Sequence, residues 1–189
     1  IVILPGNGCS NVRRSNWYGW IENRLIKERH FDEVILKYMP DPVRARRSFW
    51  LPYIEKELLV GKDTIIIGHS SGAVAAMRLS ETTKLAGLVL VAACHTDLGE
   101  PSEQQAGYYP PSGGPWKWND IYKNAGDGNV ILLHSFDDPF IPMTEARHVA
   151  SSLGNAELRE FDDESHFFKP SETIVQAVYD VLNASNVEL

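Results

Sequence analysis

Short runs of consecutive apolar residues alternate with helix-periodic stretches from one end of the chain to the other. This rhythm constrains the fold more than any other feature. Ile1–Leu4, Glu33–Tyr38, Thr64–Gly68, Leu85–Ala92, Asn129–His134 and Ala156–Phe161 are rich in β-branched or large apolar residues, as strands buried on both faces must be. Between them lie helical stretches at Trp17–Glu28, Val43–Leu59, Ser71–Glu81, Met143–Leu153 and Ser171–Asn183. In the first, Trp17, Trp20, Ile21 and Leu25 fall on one stripe at three-to-four residue spacing. Pro52 is expected to kink or restart the second helix, since it lacks an N–H and crowds the preceding turn. Such alternation predicts a three-layer α/β fold, with about six parallel strands covered by helices on both faces. With 189 residues and neither repeat nor linker, the chain reads as a single domain over 1–189.

Composition narrows the function classes. Twenty-five acidic against 18 basic residues give a formal charge of −7, which argues against nucleic acid or an anionic membrane as a partner. The longest apolar stretch, Leu85–Cys94, is far below the roughly 20 residues a bilayer-spanning helix needs. The two cysteines, Cys9 and Cys94, provide neither a disulfide framework nor a metal knuckle, so a cytoplasmic location is expected. No large apolar stripe lies outside the predicted core, which makes a monomer the expected state. The first residue is Ile1 and already belongs to a strand-like run, so the natural chain is expected to begin a few residues upstream.

One stretch breaks the rhythm. Thr96–Trp118 is long, polar and turn-rich, and loops of this length inside compact domains are usually functional. It carries Tyr108, Tyr109, Trp116 and Trp118 among glycines and prolines, and it predicts a small cap over a pocket. These four aromatics, with Trp17, are the expected substrate-binding side chains.

The chemistry is concentrated in Gly68-His69-Ser70-Ser71-Gly72, which follows Thr64–Ile67 and precedes the helical run from Ala73 to Leu79. A strand-to-helix turn this tight strains its central residue and lifts that side chain above the sheet. Ser70 is therefore the candidate nucleophile, at a helix end that favours developing negative charge. Gly68 and Gly72 are expected because a Cβ at either place would collide with the adjoining strand or helix.

A serine hydroxyl needs a base, and the base an orienting acid; this architecture supplies them in the order Ser, acid, His. The acid is expected after a late strand, where Asp137 and Asp138 compete. Asp138, in an Asp-x-x-Ile-Pro turn ending at Pro142, is preferred, with Asp137 capping or positioning that turn. The base is expected between the last strand and the last helix, and His166 is the histidine of that loop. Among the others, His69 reads as a variable position of the elbow and His134 precedes the acid. His30, His95 and His148 fall on a helix end, a cap boundary and a helix. Two backbone N–H groups should form the oxyanion hole: that of Ser71, and one from Pro5-Gly6-Asn7-Gly8, placed at Asn7 with Gly8 as alternative. No metal site and no cofactor is implied.

These residues belong to a wider pattern. Pro5–Gly8, Trp17–Trp20, Met39–Pro42, Thr64–Ala73, Thr96–Gly99, Asp137–Phe140 and Ser165–Phe167 resemble, in order along nearly the whole chain, the small α/β-hydrolases typified by retinoblastoma-binding protein 9. The resemblance implies an α/β-hydrolase fold with a minimal cap. It also implies a serine hydrolase acting on small esters or amides, with Ser70, Asp138 and His166 at the triad positions. The Leu-x-Cys-x-Glu motif that binds the retinoblastoma pocket has no counterpart: Leu58–Lys62 carries Val60 in place of Cys and Lys62 in place of Glu. The expected function is thus acyl transfer to water on a small ester or amide, with an apolar or aromatic acyl group. The alternative is a weakly active hydrolase-fold binding or scaffold protein.

Overall fold

The computed structural model describes residues 1–154 and 156–185. Five strands form one parallel sheet in the order β1 (Val2–Leu4), β2 (Ile65–His69), β3 (Gly87–Val91), β4 (Val130–Ser135) and β5 (Glu157–Phe161). Seven α-helices accompany them among the described residues: α1 (Tyr18–Glu28), α2 (Arg47–Glu57), α3 (Ser71–Ser80), α4 (Pro101–Ala106), α5 (Trp118–Asn124), α6 (Met143–Ser152) and α7 (Glu172–Ala184).

Side chains alternate across the central strands, and both faces are apolar. Val2, Leu4, Ile66, Leu88, Leu90 and Leu132 join the core beneath α2, α3, α5 and α6. Ile3, Ile65, Ile67, Val89, Val91 and Leu133 join the core beneath α1 and α7. Strands β1 to β4 therefore read as apolar runs in the sequence, because the sheet there lies between helix layers with no solvent face, whereas the edge strand β5 carries Glu157, Arg159 and Glu160 and is partly exposed. The result is the expected three-layer arrangement.

Three local expectations are corrected. Glu33–Tyr38 is not a full strand: it touches β1 as an isolated parallel bridge between Val2 and Ile35, with hydrogen bonds of 2.9 Å from Ile3 N–H to Ile35 O and from Ile35 N–H to Ile1 O. β1 is too short to support a longer ladder, and the Leu36 carbonyl accepts instead from the Arg13 guanidinium at 2.6 Å. The second helix begins at Arg47 rather than Val43, after a left-handed Ala45 and a bond from Arg46 N–H to Asp41. It runs through Pro52 without restarting, on an exposed face where water can take the orphaned carbonyl. Finally, the expected long loop over 96–118 contains α4 and runs into α5.

That cap region is held from below. Arg78 on α3 is 2% exposed, and its guanidinium donates to the carbonyls of Tyr108 (2.7 Å), Gly114 (2.9 Å) and Pro115 (3.2 Å) and to Glu81 Oε1 (2.5 Å). Its Cζ lies 3.7 Å from the Trp116 ring centroid. A buried charge is tolerable only when its donors are satisfied, and here the cap backbone satisfies most of them.

The topology also locates a site. From β1 the chain steps outward to Ile35 and then returns to β2 on the opposite side, so β1 and β2 flank a switch point. In open α/β sheets ligands bind outside the carboxyl ends of the strands at such a point.

Candidate active site

At the carboxyl end of β2, Ser70 has φ 53° and ψ −121°, a left-handed conformation that a side-chain-bearing residue keeps only when its surroundings enforce it. They do: Ser70 N–H donates to Val91 O at 2.9 Å, and Ser70 O accepts from Ala73 N–H (2.9 Å) and Val74 N–H (3.1 Å). The turn can be this tight because two neighbours lack a Cβ. One at Gly68 would lie 2.7 Å from Ala73 Cα, and one at Gly72 would lie 2.3 Å from Leu4 O.

The side chain of Asp138, in the turn after β4, is fully buried. Its Oδ1 accepts from the amides of Phe140 (2.9 Å) and Ile141 (3.1 Å), and its Oδ2 lies 2.8 Å from His166 Nδ1. Burial alone would push this carboxyl up; the His166 hydrogen bond and charge, with the two amides, outweigh it and hold it below the ordinary carboxylate value. A carboxylate only accepts, so Nδ1 of His166 carries the proton and Nε2 of the neutral ring is left as the acceptor. Asp137 does something else. Its Oδ1 accepts from Ser135 Oγ (2.5 Å) and from Ser165 N–H (2.8 Å), so it ties the loop of His166 to the end of β4. That loop needs tying, because Ser165 and Phe167, on either side of His166, both have φ 51°.

The oxyanion candidates separate on their hydrogen bonds. Gly8 N–H is already committed to Pro42 O at 2.8 Å, which removes the alternative placement. Gly6 N–H donates to Tyr18 Oη at 2.9 Å. The Asn7 and Ser71 amides have no acceptor among the described residues, and both residues line the same cavity as Ser70 and His166. This cavity has a volume of about 490 Å³, within the usual range for small-molecule sites. Ser70 Oγ forms no hydrogen bond among the described residues; in unliganded sites such bonds commonly close only around substrate.

Of the five aromatics expected to bind substrate, only Tyr109 reaches this cavity. Trp17 is fully buried on the α1 side, its ring centroid 4.9 Å from that of Tyr18 and 5.7 Å from that of His69. Tyr108 is buried beneath the cap, and Trp116 and Trp118 stack on each other at 5.2 Å. They fasten the cap to α3 and its Arg78 rather than line the cavity. The aromatic wall is instead Phe140 and Phe168, whose ring centroids lie 5.1 and 5.5 Å from the His166 ring, with Leu98 and Glu103 also on the lining. A signal for the two phenylalanines was present in the sequence: each lies within two residues of the acid or the base, so both had to sit near the same space. Glu103 accepts from Tyr109 Oη at 3.1 Å and Asn7 Nδ2 at 3.3 Å, and burial raises its carboxyl above the ordinary value despite the Tyr109 bond.

Among the described residues no cluster of three or more His, Cys, Asp or Glu side chains is placed to hold a metal. No helix there is long and apolar enough to cross a membrane.

The sequence profile of the family described as "Serine hydrolase" matches residues 1–173. "Serine hydrolase RBBP9" of Rattus norvegicus is 45% identical over 166 residues, covering 88% of this chain and 86% of that protein. Among solved structures, the Bacillus subtilis ydeN gene product superimposes with a TM-score of 0.80 at 22% identity, covering 96% of this chain and 97% of that one. The esterase RhEst1 from Rhodococcus sp. ECU1013 gives a TM-score of 0.62 at 14% identity, with 97% and 90% covered. A meta-cleavage product hydrolase from Pseudomonas fluorescens gives 0.62 at 14%, with 97% and 88% covered. At these identities the structural matches establish the α/β-hydrolase fold.

Proposed function

The chain belongs to the serine hydrolase family, and we propose that it cleaves small esters or amides through an acyl-enzyme on Ser70. The observation that carries this reading is the 2.8 Å contact between His166 Nδ1 and buried Asp138, beside a strained Ser70 that faces the same cavity as His166. Ser70 Oγ attacks the substrate carbonyl carbon as its proton passes to His166 Nε2. The carbonyl oxygen becomes an oxyanion and accepts from the Ser71 and Asn7 amides. The tetrahedral species collapses as His166 returns the proton to the departing alcohol or amine, leaving Ser70 acylated. Water then attacks the acyl carbon as it gives a proton to His166, and on collapse His166 returns that proton to Ser70 Oγ, releasing the acid with both groups restored.

Substrate size follows from the cavity. With about 490 Å³ and walls partly of Phe140, Ile141 and Phe168, it suits a small substrate presenting an apolar or aromatic group.

The test is fluorophosphonate labelling beside Ser70→Ala, with the adduct mapped by mass spectrometry. A single adduct on Ser70, absent from the variant, is expected, together with turnover of short acyl esters. Folded protein without any adduct would refute the reading and favour a binding or scaffold role.

A further inference from the structure

His69 immediately precedes Ser70 and is 1% exposed, and its ring joins two segments that are far apart in the sequence, the start of α1 and the loop of His166. On one side its Nε2 lies 2.9 Å from the His166 carbonyl oxygen. On the other, its Nδ1 lies 2.5 Å from Tyr18 Oη. The Tyr18 oxygen in turn accepts from Gly6 N–H at 2.9 Å and Asn16 Nδ2 at 3.0 Å. These contacts determine every proton. A phenol has one proton and two lone pairs; both lone pairs are taken by N–H donors, so the proton goes to His69 Nδ1. His69 must then carry its own proton on Nε2 and donate it to His166 O.

We propose that His69 and Tyr18 are positioning residues that fix, relative to Ser70, both the loop bearing His166 and the loop bearing the Asn7 amide. This rests on the roles proposed above for Ser70, His166 and Asn7. The His166 loop has left-handed residues on both sides of the base, and such strain persists only where several bonds over-determine it. Asp137 holds the loop from β4 through Ser165 N–H; His69 holds it from the side of the nucleophile. Burial and the nearby His166 lower the His69 pKa to about 3, consistent with a ring that stays neutral and serves as a one-way link.

Two measurements test this. Long-range ¹H–¹⁵N spectra of the wild-type protein should show His69 as the neutral Nε2–H form from pH 5 to 8; a protonated or Nδ1–H ring would overturn the proposal. Kinetics of Tyr18→Phe, which removes a single oxygen, should show kcat reduced about 10- to 100-fold with KM within about threefold, the signature of reacting groups displaced by up to about 1 Å. His69→Gln, which keeps an amide donor for His166 O, should retain more activity than His69→Leu. Tyr108→Phe removes a buried hydroxyl that has no partner and serves as the control. A folded Tyr18→Phe with wild-type kcat would refute the positioning role. Full activity in Ser70→Ala would instead refute the underlying reading, which keeps the two failures distinct.

Discussion

Replacing Gly72 with alanine should damage both stability and catalysis, by forcing α3 away from the end of β1. The new methyl carbon would lie 2.3 Å from Leu4 O and 2.6 Å from Pro5 O, where ordinary contact begins at 3.4 Å. Both obstructing atoms are backbone, so no side chain can rotate away, and α3 must separate from the end of β1 by about 1 Å. Overpacking of this kind costs about 1–3 kcal/mol. For a domain of this size that lowers Tm by roughly 2–12 °C. The catalytic effect has its own route: α3 begins with the Ser71 amide, and the loop after β1 carries the Asn7 amide, so the clash separates the two amides proposed as oxyanion donors. Loss of one such donor costs about 10²–10³ in kcat, or about 3–4 kcal/mol. The assay is calorimetric Tm together with kcat on a short acyl ester, with Gly61→Ala, whose Cβ would meet nothing within 4 Å, as the control. A Gly72→Ala protein with Tm within about 1 °C and kcat within about threefold of wild type would refute the reasoning.

Three further outcomes are expected. Asp138→Asn should lower kcat by about 10⁴ with little change in KM, since an amide favours the wrong His166 tautomer. Asp137→Asn should lower it far less, and equal losses in steady-state kinetics would contradict the division of labour between the two carboxyls. Arg78→Met removes the donors to the Tyr108, Gly114 and Pro115 carbonyls and leaves Glu81, 9% exposed, without its charge partner. About 3–5 kcal/mol of destabilisation is expected by urea denaturation, with faster proteolytic cleavage at 107–117; an unchanged midpoint would show that the buried guanidinium does not anchor the cap. For His69 the folded-state pKa near 3 lies below the ordinary histidine value of about 6.5. The unfolded chain therefore binds the extra proton first, and stability is full above about pH 6.5 and lost as pH falls toward 3, by about 3 kcal/mol at pH 4. Urea midpoints measured from pH 7 to pH 4 should fall more steeply in wild type than in His69→Gln, and parallel slopes would refute a neutral buried ring.

Much of this protein was legible in the sequence because its information is local. The apolar strand runs reflect a sheet buried on both faces, and the elbow's glycines lie within two residues of Ser70. The order of strand, acid turn and base loop survives any detail of packing. The spacing of Asp137 and Asp138 could not separate their roles by itself, because adjacent residues occupy the same turn. Their division depends on which oxygen meets His166 from β5's end of the sheet and which meets Ser165 N–H. The same limit explains the aromatics. Composition showed that Tyr108, Trp116 and Trp118 were too many for a bland loop, but not that a single buried arginine on α3 would draw that loop inward and leave Phe140 and Phe168 to face the cavity.

The sequence by itself therefore determined the layered α/β architecture, the nucleophile elbow and the candidate base, all set by periodicity and covalent spacing. Only the tertiary structure shows which carboxyl meets His166, which amides are without an acceptor among the described residues, which side chains wall the cavity, and the Tyr18–His69–His166 link. Those depend on which hydrogen-bonding groups are already satisfied, and a donor's partner can lie 97 residues away, as His166 lies from His69.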